Sequence, residues 1–147
     1  MNLFSSVLLS LCFMLLGINR ILNIKRNTQS LYEAIRFINS VKNNIRFSAM
    51  DYDTLVETAK KENYSYIEFE NGIAISKYAG KTAKKEFLSF TEKIGTTDSF
   101  GQFSICDEYI ERFKELYNES VSSEKGKVNV VGAISVLSVV CVLILGG

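Results

Sequence analysis

Charged side chains are missing from both ends of the chain and dense in its middle. No Asp, Glu, Lys or Arg occurs in residues 1–19 (MNLFSSVLLSLCFMLLGIN) or in residues 128–147 (VNVVGAISVLSVVCVLILGG). Wound as a helix at 1.5 Å per residue, either run would be about 30 Å long, which is the thickness of a bilayer's hydrocarbon core. Runs of this length are too long for an ordinary strand. The pattern therefore predicts an N-terminal transmembrane helix over 1–24, a polar middle domain over 27–125 and a C-terminal transmembrane helix over 128–147. A cleaved signal peptide would need a basic segment ahead of the apolar run and a small-residue cleavage site. Only Met1 and Asn2 precede the run and residues 13–24 offer no such site, so the first helix is expected to remain as an anchor.

The middle domain reads as helices. Leu31, Ala34, Ile38, Val41 and Ile45 recur at three- and four-residue spacing and make one apolar stripe, with Arg36, Asn39, Lys42 and Asn43 on the other faces. Ser30-Leu-Tyr-Glu33 has the form of a capping box and is expected to open this helix. A second helix is expected over 54–63, capped from Asp51 to Asp53 or through Thr54-Leu-Val-Glu57, with Leu55, Val56 and Ala59 turned inward. Residues 66–78 admit two readings. Ile67, Phe69, Ile73 and Ile75 alternate as in a strand pair turned at Asn71-Gly72, whereas a helix would carry no clean stripe and would contain Gly72. A third helix is expected over 81–94, its inner side Ala83, Phe87, Phe90 and Ile94, stopped by Gly95. The last helix is expected from Ser99, with Ser99-Phe-Gly-Gln102 as its box, to Glu124. Its seam is Phe103, Cys106, Ile110, Phe113, Tyr117 and Ser120, and it should lead into the second apolar run. The fold class expected is all-α, a small helical bundle flanked by two transmembrane helices.

Charge adds an orientation. The 17 basic and 16 acidic residues nearly cancel, which gives a net charge of +1 and no clustered basic surface for nucleic acid. Arg20, Lys25 and Arg26 follow the first run, and Lys125 and Lys127 precede the second. Both sets flank the middle domain, which places it in the cytoplasm by the positive-inside rule. The sequons at Asn63 and Asn118 are then incidental. Ser6, Ser10 and Gly17 form one ridge of small residues in the first span, and Gly132, Ser135 and Ser138 another in the second; such ridges let membrane helices approach closely.

Candidate chemistry changes this picture little. The chain has no His, Trp or Pro. Without His it lacks the side chain most used for acid–base work near neutrality and for transition-metal binding. Cys12, Cys106 and Cys141 are three in number and widely spaced, which argues against a disulfide framework or a zinc site and for small apolar filling. No phosphate-binding loop, dinucleotide fingerprint or nucleophile elbow is present. Asp51/Asp53 and Glu68/Glu70 are carboxylate pairs at helix starts or on surfaces. No catalytic, cofactor-binding or metal-binding residue is nominated, and no small-molecule substrate or nucleic acid is expected as a partner.

The layout resembles the stage III sporulation protein AB family of endospore-forming bacteria. Ile94-Gly-Thr-Thr-Asp-Ser-Phe-Gly-Gln102 resembles that family's Leu-Gly-x-Ser-Asp-x-x-x-Gln pattern, with Ile94, Gly95, Asp98 and Gln102 in register. Gly17, Arg26 and Leu31 resemble the segment leaving the first span. Thr54-Leu-Val-Glu57 is similar to a Pro-Leu-x-Glu helix start with Thr54 in place of proline, and residues 125–132 resemble the basic entry into the second span with Val131 in place of leucine. The resemblance implies a non-enzymatic platform component of the channel between mother cell and forespore, distantly similar to the inner-membrane platform proteins of type II secretion and type IV pilus machines. It implies residence in the mother-cell membrane around the forespore, with a secretion-type ATPase, other channel membrane proteins and membrane lipid as partners. Any nucleotide chemistry would belong to another chain. Gly95, Asp98 and Gln102 are the candidate structural or partner-contact residues. Two other functions fit the same layout. One is a septum or division scaffold pairing through the seam from Phe103 to Ser120; the other is a small membrane-permeabilising protein of holin type.

Overall fold

The computed structural model describes residues 3–47, 52–70 and 72–146. Its elements in chain order are α1 (Leu3–Phe47), α2 (Tyr52–Lys61), β1 (Ile67–Glu68), β2 (Ala74–Ile75), α3 (Lys81–Lys93) and α4 (Ser99–Gly146). The described residues are mostly helical and carry one small β-hairpin, so the protein is not wholly α. It divides into two units: Asn27–Ser120, and Met1–Arg26 together with Val121–Gly147.

Two of the expected helix starts are not starts. Ser30 lies inside α1, which runs unbroken from Leu3 to Phe47. A capping box is a local option for free amides, and here no proline or glycine frees the amides before Ser30, so the helical ladder continues through it. Ser30 and Glu33 are buried, at 0% and 5% exposure. Instead of capping, the Glu33 carboxylate accepts the Tyr66 backbone N–H at 2.6 Å and ties α1 to the hairpin. Thr54 is likewise inside α2, which begins at Tyr52. Its carbonyl accepts the Thr58 hydroxyl at 2.9 Å. Asp51 and the side chains of Asp53, Leu55 and Val56 lie outside the described residues. After α2, Asn63 takes a left-handed conformation with φ 55° and turns the chain away.

For residues 66–78 the hairpin is the observed form. Ile67 pairs with Ile75 and Glu68 with Ala74, antiparallel, and the Ser76 N–H donates to the Tyr66 carbonyl at 2.8 Å. The connection spans 69–73 rather than two residues. Gly72 has φ +104°, a conformation that side chains rarely adopt; Asn71 lies outside the described residues. Ile67, Ile73 and Ile75 turn into the core.

That core is drawn from α1, α2, α3, α4 and the hairpin of the Asn27–Ser120 unit. Leu31, Ala34, Ile38 and Val41 are buried along α1, Ala83, Phe87, Phe90 and Ile94 along and just after α3, and Cys106, Ile110 and Phe113 along α4. At the centre stands Phe37, fully buried, its ring centroid 5.7 Å from Phe87, 5.8 Å from Tyr64, 6.2 Å from Phe69 and 6.4 Å from Phe90. Offset and edge-on aromatic pairs of this kind contribute about 0.5–1.5 kcal/mol each beyond simple burial. Tyr109 is also fully buried and shares a hydrogen bond of 2.7 Å with the Ser89 hydroxyl, which satisfies its polar end. Burial pushes the Cys106 thiol up to about 12, so at neutral pH it is an inert packing group.

One end of this unit is closed by a polar clasp. The Asn27 amide donates to the Ser120 hydroxyl at 3.1 Å, Thr28 and Ser120 hydroxyls are 2.9 Å apart, and the Gly80 N–H donates to the Asn27 carbonyl oxygen at 2.9 Å. The clasp joins α1, α4 and the start of α3.

In the other unit the two terminal segments pack at a point of close approach. A Cβ placed on Gly17 would lie 2.1 Å from the Ser135 Oγ, so only glycine fits there. The Ser135 and Ser138 hydroxyls donate back to the Val131 and Ile134 carbonyls of their own helix, both at 2.8 Å, so both hydroxyl hydrogens are used within that helix. Gly132 has open space around it and the Ser6 side chain lies outside the described residues; Ser10 is buried, at 8% exposure, and Gly17 and Ser135 make the close approach. The outward faces are apolar and uncovered: Leu16, Leu137 and Ile144 are 65%, 63% and 72% exposed. Cys12 and Cys141 are exposed as well, so only Cys106 is core filling. Both α1 and α4 contain a helical stretch long and apolar enough to cross a membrane.

Candidate partner-contact site

The three residues nominated from sequence meet at one corner, the turn from α3 into α4. Helix α3 ends at Lys93, and the Ile94 N–H donates to the Phe90 carbonyl at 3.0 Å. Gly95 follows with φ +85°, the left-handed conformation that reverses a chain leaving a helix and that a side chain would strain. The Lys93 carbonyl, freed by the turn, accepts both the Thr96 N–H at 3.2 Å and the Thr96 hydroxyl at 2.6 Å.

The new helix is capped by Asp98, not by Ser99. The Asp98 Oδ1 accepts the Gly101 N–H at 2.9 Å, the three-residue reach of an N-cap side chain. A carboxylate at this end also opposes the partial positive charge of the helix start. Gln102 does not complete a box with Ser99. Its Nε2 donates to the Thr97 carbonyl at 2.8 Å, and its own N–H donates to the Asp98 carbonyl at 2.9 Å. Gly101 is needed for space: a Cβ there would lie 2.7 Å from the Thr97 Oγ1. Gly95, Asp98 and Gln102 thus turn, cap and brace the corner, and each acts on backbone within it.

What the corner presents outward is Phe100, 84% exposed in the first turn of α4. Sequence reasoning gave this residue no role. It precedes Phe103 by one helical turn and so continues the apolar seam; the seam simply outruns the core. Away from the corner, α3 and α4 are also joined by charge. Arg112 of α4 bonds Glu86 of α3 at 2.8 Å and Glu108 at 2.6 Å, and its guanidinium is held further toward the charged form chiefly by the Glu86 bond. Lys93 and Arg112 both lie 5.3 Å from the centroid of the buried Tyr109 ring. The Phe100 ring is thus uncovered on a turn whose backbone is held by its own hydrogen bonds.

A second concavity lies where α1 meets the end of α2, lined by Arg36, Asn39, Ser40, Asn43, Asn44 and Glu62, with a volume of about 310 Å³. Glu62 accepts hydrogen bonds from Ser40 and, at 2.5 Å, from the Tyr64 hydroxyl. Burial, and then Glu62, push that hydroxyl above its ordinary range. The carboxylate is therefore engaged in holding α2 to α1. Among the described residues no group of three His, Cys, Asp or Glu side chains is placed to hold a metal ion.

No family model, curated protein or solved structure matches the chain.

Proposed function

We propose that this chain is a membrane-anchored, non-enzymatic docking protein: two transmembrane helices holding a small helical bundle on the cytoplasmic side, which engages protein partners through the α3–α4 corner. The observation that carries the anchor is the exposure of large apolar side chains along the uncharged ends of α1 and α4, Leu16, Leu137 and Ile144 among them. Water does not tolerate an apolar surface of this extent in a lone monomer, and lipid covers it at a gain of about 1.5–3 kcal/mol per large side chain. Basic residues flanking the middle domain support its cytoplasmic orientation. The uncovered Phe100 ring supports docking at the corner.

The finer reading is that of a platform subunit of the channel apparatus between mother cell and forespore, docking a secretion-type ATPase and other channel proteins. It rests on the resemblance of residues 94–102 to the stage III sporulation protein AB pattern. The test is a photocrosslinking amino acid in place of Phe100 in the full-length chain, expressed in an endospore-forming cell. The reading expects a crosslink to a secretion-type ATPase or another channel subunit, lost when Asp98 or Gly95 is replaced. Crosslinks only to further copies of the same chain would replace it with the self-pairing scaffold, and crosslinks only to lipid would remove the corner as a protein contact.

A further inference from the structure

We propose that the two terminal helices hold one anionic phospholipid, its phosphate on Arg20 and one acyl chain in the groove that Arg20 lines. The inference rests on the anchor reading above. Every residue of the site belongs to the Met1–Arg26 and Val121–Gly147 unit.

The groove is made by residue size. Gly17, Ser135 and Ser138 leave the space, and the exposed side chains of Phe13, Leu16 and Ile134 border it; its volume is about 220 Å³. Residues 13–20 cover about 10 Å of helix. A helix with its side chains is about 10–12 Å across and does not enter a slot of this size, whereas a single hydrocarbon chain does. The Ser135 and Ser138 hydroxyls are already bonded to carbonyls of their own helix. The groove therefore offers hydrocarbon contacts along its walls and hydrogen-bond donors at Arg20.

Arg20 decides what fills it. It is the only charged side chain in residues 1–24 and 128–147. It is exposed, and among the described residues no carboxylate pairs with it. Its neighbours one turn away on α1 are Leu16, Gly17, Asn23 and Ile24, and the α4 residues that share the groove are uncharged too. A cation within a span is costly unless an anion pairs with it. The guanidinium presents a planar fork of donors that matches the oxygens of a phosphate. A molecule with a phosphate at one end and a hydrocarbon chain at the other meets both demands. Free phosphate would leave the groove unfilled, and hydrocarbon alone would leave the guanidinium unpaired. An anionic headgroup suits the site better than phosphatidylcholine, whose own ammonium would bring a second cation beside Arg20. A second groove of the same two helices, about 340 Å³ and bordered by Ile18, Val136 and Val139, has no charged residue in its lining. It should take acyl chains without regard to headgroup.

The test is native mass spectrometry of the full-length chain, released from nanodiscs made of equal parts phosphatidylglycerol and phosphatidylcholine. The retained lipids should favour phosphatidylglycerol by about fivefold, the contribution of one Lys or Arg at an anionic surface. Arg20→Gln should abolish the preference. Ser138→Leu, which keeps the charge and fills the groove, should remove the selectively held lipid. Lys25→Gln takes away a charge outside the groove and should leave the preference as it is. Equal retention of the two lipids by the parent chain, or a preference that survives Arg20→Gln, would overturn the inference while leaving the anchor intact. An equal fall in Lys25→Gln would overturn it too, as a general surface potential. A dimer carrying no lipid would give the groove to a second copy of the chain. Failure of the chain to enter the discs would remove the anchor and the inference with it.

Discussion

Truncating Phe37 to alanine should loosen the whole Asn27–Ser120 unit, and Cys106 provides the means to see it. Phe37 is fully buried and its ring meets four other aromatic rings. Phe-to-Ala changes at such sites cost about 3–5 kcal/mol, and a unit of this size is expected to have about 5–14 kcal/mol in all. At about 1.4 kcal/mol per tenfold, the open population rises by roughly 100- to 4,000-fold. Cys106 is 0% exposed, so a thiol reagent reaches it only when the unit opens. Cys12 and Cys141 are exposed and would be replaced by alanine beforehand, leaving one reporter. In the full-length chain in nanodiscs, where reclosing outpaces the reagent, the labelling rate follows the open population. Phe37→Ala should therefore raise it by at least two orders of magnitude. Phe100→Ala, which removes a ring that is 84% exposed, should leave it within about threefold. A Phe37→Ala rate within threefold of the parent would refute the placement of this ring at the centre of the core.

Asp98→Ala should cost about 1 kcal/mol through loss of the α4 cap, or about 4–8 °C in melting temperature, and Asp98→Asn or Asp98→Ser should restore most of it. Gly17→Ala should disrupt the packing of the terminal helices, because its Cβ would lie 2.1 Å from the Ser135 Oγ. The double change Gly17→Ala/Ser135→Gly should recover the parent's thermal stability in detergent, and an unaffected single variant would place the close approach elsewhere. Alkaline pH should weaken the folded unit. The Cys106 thiol rises on folding from 9.0 to about 12, so its contribution is complete below pH 9 and is lost as pH climbs toward 12. The Tyr64 hydroxyl, raised by burial and then by Glu62, acts in the same sense above its ordinary 10.0. Cys106→Ala should flatten the first part of that decline in a pH series of thermal melts.

Much of the helical layout was legible because periodicity survives without knowledge of partners. The stripes Leu31, Ala34, Ile38, Val41 and Ala83, Phe87, Phe90, Ile94 are buried as their spacing requires. Phe37 and Tyr109 escaped because they sit beside those stripes rather than on them; a core-facing helix buries a band wider than one line of residues. The boxes at Ser30 and Thr54 misled because capping chemistry is local, while the helix end it serves is decided by what breaks the backbone ladder. Nothing breaks α1 before Phe47. Glu33 then takes a partner, the Tyr66 N–H, that is distant in sequence and invisible to any local pattern. At the corner, Gly95 was readable as the turn from residue type, whereas the cap fell to Asp98 rather than to Ser99 one residue on. The bond from Gln102 to the Thr97 carbonyl was not readable, since the same side chain fits several local acceptors. Phe100 received no role from sequence because it precedes the seam that begins at Phe103, and only the structure shows it uncovered.

The central claim is that the two apolar ends hold the helical domain to a bilayer. Alkaline carbonate extraction of membranes from cells making the full-length chain tests it most directly. The account predicts that the chain stays with the lipid pellet through the wash; its release as a dispersed single copy into the supernatant would contradict it.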